Sequence, residues 1–96
     1  MERLIEEIKK FNEERGWGEY HTPENLTKSI AIESGELLEC FQWDSEIYNK
    51  QDVYDELANV FTYCIQMAIS LNVNPEEVIL NKLEKTKLKY QVKKNK

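Results

Sequence analysis

The sequence predicts an all-α bundle. Apolar residues recur at three- and four-residue spacings almost throughout, and the breaks fall at residues that favour turns. No segment alternates with period two between turn signals, so a sheet is not expected. At 96 residues the chain forms one domain with a modest core of its own. The bundle is therefore expected to be completed by oligomerisation. The helical domain is assigned to residues 1–90 and a basic tail to 91–96.

Four helices account for the pattern. The first runs from about Glu2 to Glu14 on Leu4, Ile5, Ile8 and Phe11, and ends at Gly16-Trp17-Gly18, where glycine disfavours continuation. The second starts at Thr22-Pro23, a capping side chain followed by proline at the first helical position, and reaches about Phe41. Its core-facing stripe is Leu26, Ile30, Leu37 and Phe41. Residues 42–50 read as a polar loop containing Trp43. The third helix spans about Asp52 to Leu71, with Val53, Leu57, Val60, Cys64, Met67 and Leu71 forming a seam toward another helix. The fourth begins at Asn74-Pro75-Glu76-Glu77, a cap, a first-turn proline and an acid at the third position. Val78, Ile79, Leu83 and Leu88 form its expected buried side. Short connections make the second and third helices antiparallel neighbours.

Composition excludes several function classes. The net charge is −5, and residues 82–96 hold seven lysines against one glutamate, so the body before them is strongly acidic. That body does not suit a nucleic-acid surface, and the lysine-rich end reads as a solvated helix terminus. The charged amphipathic start carries no signal peptide and no apolar run approaches a membrane span, so a cytoplasmic protein without membrane contact is expected. Cys40 and Cys64 stand singly in two predicted helices and read as buried, reduced thiols. His21 is the single histidine, which rules out a multi-histidine metal site.

Glu33, Glu36 and Glu39 lie at i, i+3 and i+6 on the second helix, and Glu33 occupies the place on the Leu26–Phe41 stripe where the next apolar residue belongs. An ionised carboxylate aimed at a core is unfavourable unless it is paired or bound to metal. A second cluster, Asp55-Glu56-Leu57-Ala58-Asn59, lies on the facing helix. At about 100° per residue, Glu33 and Glu36 are about 60° apart, as are Glu56 and Asn59, and both pairs flank an apolar seam. Oxygen ligands converging from two helices suit a hard divalent cation such as Mg²⁺.

The run Glu33-Ser34-Gly35-Glu36-Leu37-Leu38-Glu39-Cys40-Phe41-Gln42-Trp43, followed by Asp55-Glu56-Leu57-Ala58-Asn59-Val60-Phe61-Thr62-Tyr63, resembles the signature of the MazG-like all-α nucleoside triphosphate pyrophosphohydrolases. It is most similar to the branch that includes dCTP pyrophosphatases. The likeness extends upstream through Arg15 to Leu26 and downstream to Lys82 and Lys89-Tyr90. It implies hydrolysis of a nucleoside triphosphate, such as a pyrimidine or modified deoxynucleotide, to the monophosphate and pyrophosphate. It also implies Mg²⁺, with Mn²⁺ as a substitute, held by Glu33, Glu36, Glu56 and Asn59, with Glu36 or Glu39 as proton acceptor. Lys82, Lys89 and Tyr63 are the phosphate and sugar candidates, and Trp17, His21 and Trp43 the base-stacking ones. A homodimer or homotetramer is implied as well.

Three positions depart from the family pattern. Asn59 stands where aspartate is usual, Thr86 where asparagine is usual, and Gln91 where proline often follows the tyrosine. An amide oxygen can ligate a hard cation but brings no charge. The competing expectation is therefore a catalytically weakened homologue that binds nucleotides or serves as a helical interaction module.

Overall fold

The computed structural model describes residues 1–92, which form four α-helices and no strand. These are α1 (Glu2–Arg15), α2 (Pro23–Glu39), α3 (Lys50–Ser70) and α4 (Pro75–Lys89), with a short 3-10 turn over Gly18–Tyr20 between α1 and α2. Of the expected basic tail, residues 93–96 lie outside the described residues. No helix among the described residues is long and apolar enough to cross a membrane.

Local chemistry sets each helix end. Gly16 adopts a left-handed conformation (φ 62°, ψ 30°), and the Trp17 amide then donates back to the Asn12 carbonyl at 3.1 Å, which closes α1. Thr22 Oγ1 accepts from the Asn25 amide at 3.2 Å, with Pro23 opening α2. Asn49 Oδ1 and Asn74 Oδ1 cap α3 and α4 in the same way, accepting from the Asp52 and Glu77 amides at 3.0 and 3.1 Å. At the end of α3 the left-handed residue is Asn72 (φ 56°), and the Val73 amide reaches the Ala68 carbonyl at 3.0 Å.

The core lies where α3 meets α2 and, farther along, α1. Ile8, Leu26, Ile65 and Ala68 are its buried apolar side chains, with Leu26 only 1% exposed. Ile30, Leu37 and Phe41 line up with Leu26 as half-buried residues, as the stripe on α2 predicts. Between α1 and α3, Gln66 Nε2 donates to Asn12 Oδ1 at 3.0 Å in a fully buried pair, and Gln66 Oε1 has no partner. Periodicity alone does not reveal this contact.

Three expectations about burial are corrected. On α3 the half-buried line runs through Val53, Glu56, Val60 and Tyr63, whereas Leu57, Cys64 and Leu71 are exposed. Cys64 is thus an exposed thiol and Cys40 a half-buried one, although neither forms a disulfide. On α4, Val78, Ile79, Leu83 and Leu88 are all exposed, because α4 leaves the α1–α3 body instead of folding back along it. The chain is accordingly extended, 58 × 38 × 25 Å with a radius of gyration of 16.8 Å, against about 13 Å for a compact 100-residue domain. Its accessible surface is 8323 Å², whereas a folded monomer of 11.4 kDa exposes about 5,800 Å².

Candidate metal centre

Glu33 and Glu36 on α2 face Glu56 on α3, and one carboxylate oxygen from each lies within 4.8 Å of the other two. Cys40 lies beside Asp52 and Glu56, so advancing along α2 means retreating along α3, and the two helices run antiparallel. The connection between them is built for this reversal. Phe41 and Gln42 continue the last turn of α2 by donating to the Leu38 and Glu39 carbonyls at 3.0 Å. Asp44 Oδ1 then accepts from the Glu46 and Ile47 amides at 2.7 and 3.0 Å, which holds the Asp44 carboxyl below its ordinary value. The rings of Phe41 and Tyr48 meet edge to face at 4.6 Å and close the loop.

The electrostatics of the three carboxylates are unbalanced. Glu33 Oε2 and Glu56 Oε2 are buried and make no hydrogen bond among the described residues. Hydrogen bonding to Glu33, and then the Glu33 charge, push the Glu36 carboxyl above its ordinary value of 4.5. Among the described residues no cation bridges them: the three ion pairs are Arg15–Glu14, Lys28–Glu24 and Lys87–Glu84, all at the surface. Two orphaned acceptors beside a crowded third carboxylate form a donor set of hard oxygens that fits Mg²⁺ or Mn²⁺. The expected ligands Glu33, Glu36 and Glu56 are therefore brought together by the fold. Asn59 lies on the next turn of α3 from Glu56 and is exposed.

A cleft of about 490 Å³ opens beside this group, lined by Glu36, Glu39, Cys40, Asp52, Asp55 and Glu56. Glu39 thus stands at its rim. Cys40 and Asp52 are the residues that sequence reasoning missed. The signal was present in their spacing, since Cys40 follows Glu36 by four and Asp52 precedes Glu56 by four. Burial, followed by the charges of Glu56 and Asp52, pushes the Cys40 thiol up.

The six substrate candidates do not line the cleft. Trp17 sits edge-on to Phe11 at 5.2 Å and to His21 at 6.2 Å, so these rings form a cluster at the end of α1. Trp43 stands 90% exposed on the loop joining the two acidic helices. Tyr63 is half-buried on α3, and Lys82 and Lys89 are exposed on α4.

Comparisons with known proteins agree with this geometry. The profile of the MazG-like family matches residues 28–96. A crystal structure of a pyrophosphatase from Archaeoglobus fulgidus superposes with a TM-score of 0.85 at 37% identity, covering 96% of this chain and 93% of that one. The dCTP pyrophosphatase 1 proteins of mouse and human are each 28% identical, over 95% and 93% of this chain. The chain spans 61% and 60% of the length of those two relatives.

Proposed function

The chain belongs to the MazG-like family, and we propose that it is a metal-dependent nucleoside triphosphate pyrophosphohydrolase, releasing pyrophosphate and leaving the monophosphate. The observation that carries this reading is the pair of buried, unpartnered oxygens, Glu33 Oε2 and Glu56 Oε2, on two carboxylates that are gathered with that of Glu36. Such an arrangement is costly to hold in a protein that has no cation to bind. The names of the mammalian relatives support a pyrimidine deoxynucleoside triphosphate, dCTP foremost, as substrate.

Glu33, Glu36 and Glu56 would hold Mg²⁺ or Mn²⁺, with the Asn59 amide oxygen as a neutral fourth donor. When bound, the cation offsets triphosphate charge and polarises the phosphoryl group under attack. The chain's own part is to fix these oxygens on two rigid helices and to accept the proton of the attacking water. Glu36, at the centre of the acidic group, is one candidate for that role. Glu39, exposed on the rim of the same cleft, is the second candidate. Water adds to phosphorus, the α–β anhydride bond breaks and the leaving oxygen departs with pyrophosphate.

Trp43 is proposed to stack on the base, since it is an exposed flat ring on the loop joining the two acid-bearing helices. Roles for Trp17, His21, Tyr63, Lys82 and Lys89 in holding base, sugar and phosphates rest on the family resemblance alone. Self-association into a homodimer or homotetramer belongs to the same reading, because few apolar side chains are buried within one chain.

Asn59 favours a second reading, a homologue that binds nucleotide but turns it over weakly, because it brings no charge where the family pattern has aspartate. Pyrophosphate release from a panel of nucleoside and deoxynucleoside triphosphates with Mg²⁺ or Mn²⁺ separates the two. Turnover by the native chain, raised at least several-fold in Asn59→Asp and lost in Glu33→Ala, is the expected result. Absence of turnover in both the native chain and Asn59→Asp would discard the enzyme reading.

A further inference from the structure

Cys40 and Asp52 line the acidic cleft, yet the hydrolysis proposed above uses neither. Each stands one turn from an acid of the centre, Cys40 four residues after Glu36 on α2 and Asp52 four residues before Glu56 on α3. Side chains four apart share a helix face. Because the two helices run antiparallel, the pairs stack, with Glu36 level with Glu56 and Cys40 level with Asp52. The Cys40 thiol accordingly feels the charges of Glu56 and Asp52 across the cleft more strongly than that of Glu39, its own neighbour in sequence. A sulfur thus meets two carboxylates of the facing helix on the side of the cleft that Glu33 does not line.

These donors are open to a ligand. Cys40 Sγ donates to the Glu36 carbonyl at 3.6 Å and accepts no hydrogen bond among the described residues, so its lone pairs are available. Asn49 Oδ1 takes up the Asp52 amide, but no hydrogen bond or ion pair among the described residues engages the Asp52 carboxylate. Asp55 differs, because its Oδ1 accepts from Gln51 Nε2 at 2.9 Å. An independent sign of a ligand is Glu56 Oε2, a buried carboxylate oxygen with no partner, which calls for a donor or a cation.

We infer that Cys40, Asp52 and Glu56 form a binding site for a thiophilic divalent cation of the zinc class, beside the Mg²⁺ centre and joined to it through Glu56. The donor set selects the class. Mg²⁺ is held through oxygen, whereas Zn²⁺ accepts cysteine sulfur together with carboxylate oxygen, and three protein ligands leave a fourth tetrahedral position for water. Thiolate favours zinc over the hard cations. One sulfur and two carboxylates supply that count. As the sulfur–metal bond forms, the thiol proton passes to solvent, and the cation offsets the two acidic charges that otherwise disfavour the thiolate. The site shares Glu56 with the proposed catalytic centre but does not require the chain to be an enzyme.

Cobalt(II) is the probe, since it occupies zinc sites and reports a bound thiolate through a near-ultraviolet charge-transfer band. Titration of the metal-free full chain is expected to raise this band until cobalt is equimolar with protein. Cys40→Ser should abolish the band, and Cys64→Ser should leave it intact. Asp52→Asn, a change at an exposed position, should keep the helical circular dichroism of the native chain and weaken cobalt binding at least about tenfold. A native chain that gives no band overturns the inference. So does a band that survives Cys40→Ser, a band that needs Cys64, or an affinity unmoved by Asp52→Asn. The catalytic reading is decided by pyrophosphate release instead, so the two readings fail separately.

Discussion

Replacing Glu33 by leucine should make the metal-free protein more stable while removing its response to metal. Glu33 sits between Ile30 and Leu37 on the half-buried stripe of α2, and its Oε2 is buried with no hydrogen-bond partner. A buried polar atom left unsatisfied costs about 1–3 kcal/mol, and leucine fills a similar volume while adding apolar contact to its neighbours on the stripe. Glu33→Leu is therefore expected to gain about 1–3 kcal/mol in EDTA, at about 4–8 °C of melting temperature per kcal/mol for a domain of this size. The native chain should recover stability on adding Mg²⁺, by about 1.4 kcal/mol at ten times the dissociation constant. The variant should recover none. Urea and thermal unfolding, each followed with EDTA and with Mg²⁺ at one fixed protein concentration, measure both halves. A leucine variant no more stable than the native chain in EDTA would refute the reasoning, as would one that keeps the Mg²⁺ increment.

Two further outcomes are expected. Because Glu36 is raised above 4.5 by Glu33, the metal-free fold is favoured by its protonation. That contribution is complete below the ordinary value and disappears as pH rises through the raised one, so urea midpoints in EDTA should fall over that range in the native chain but less in Glu36→Gln, and parallel curves would exclude it. Asn12→Ala removes the acceptor of Gln66 Nε2 and leaves a second unsatisfied atom on Gln66, a loss of about 1–3 kcal/mol. The double change Asn12→Leu/Gln66→Leu should restore most of that stability, and a double-mutant cycle that came out additive would show that the two side chains do not act as a pair.

Much of the fold is legible locally. Thr22-Pro23 and Asn74-Pro75 mark helix starts because a side-chain oxygen and a proline solve the unpaired-amide problem within a few residues. Both caps form as their spacing indicates. Asn49 caps α3 through the same chemistry, but with no proline beside it the helix start reads two residues late. Glu33 is legible as an anomaly because its neighbours on the stripe define what belongs there. Its convergence with Glu36 and Glu56 follows once two helices are paired by a short loop. Cys40 and Asp52 were harder to see, since neither breaks a local pattern and each matters only through what faces it across the cleft.

The α3 helix shows where sequence stops deciding. It carries two apolar lines side by side, Val53-Val60-Met67 and Tyr54-Leu57-Phe61-Cys64-Leu71, and read as a string they merge into one seam. The sequence by itself determined the helices, their caps, the order of the elements and the spacing of the acids, because all of these depend on interactions within a turn or two of the chain. Only the tertiary structure decided which apolar line faces α2, that α4 leaves its apolar side uncovered, and that Glu33 Oε2 and Glu56 Oε2 are buried with no partner. Those choices rest on contacts between residues far apart in the chain, and helical periodicity states which residues share a face without stating what that face will meet.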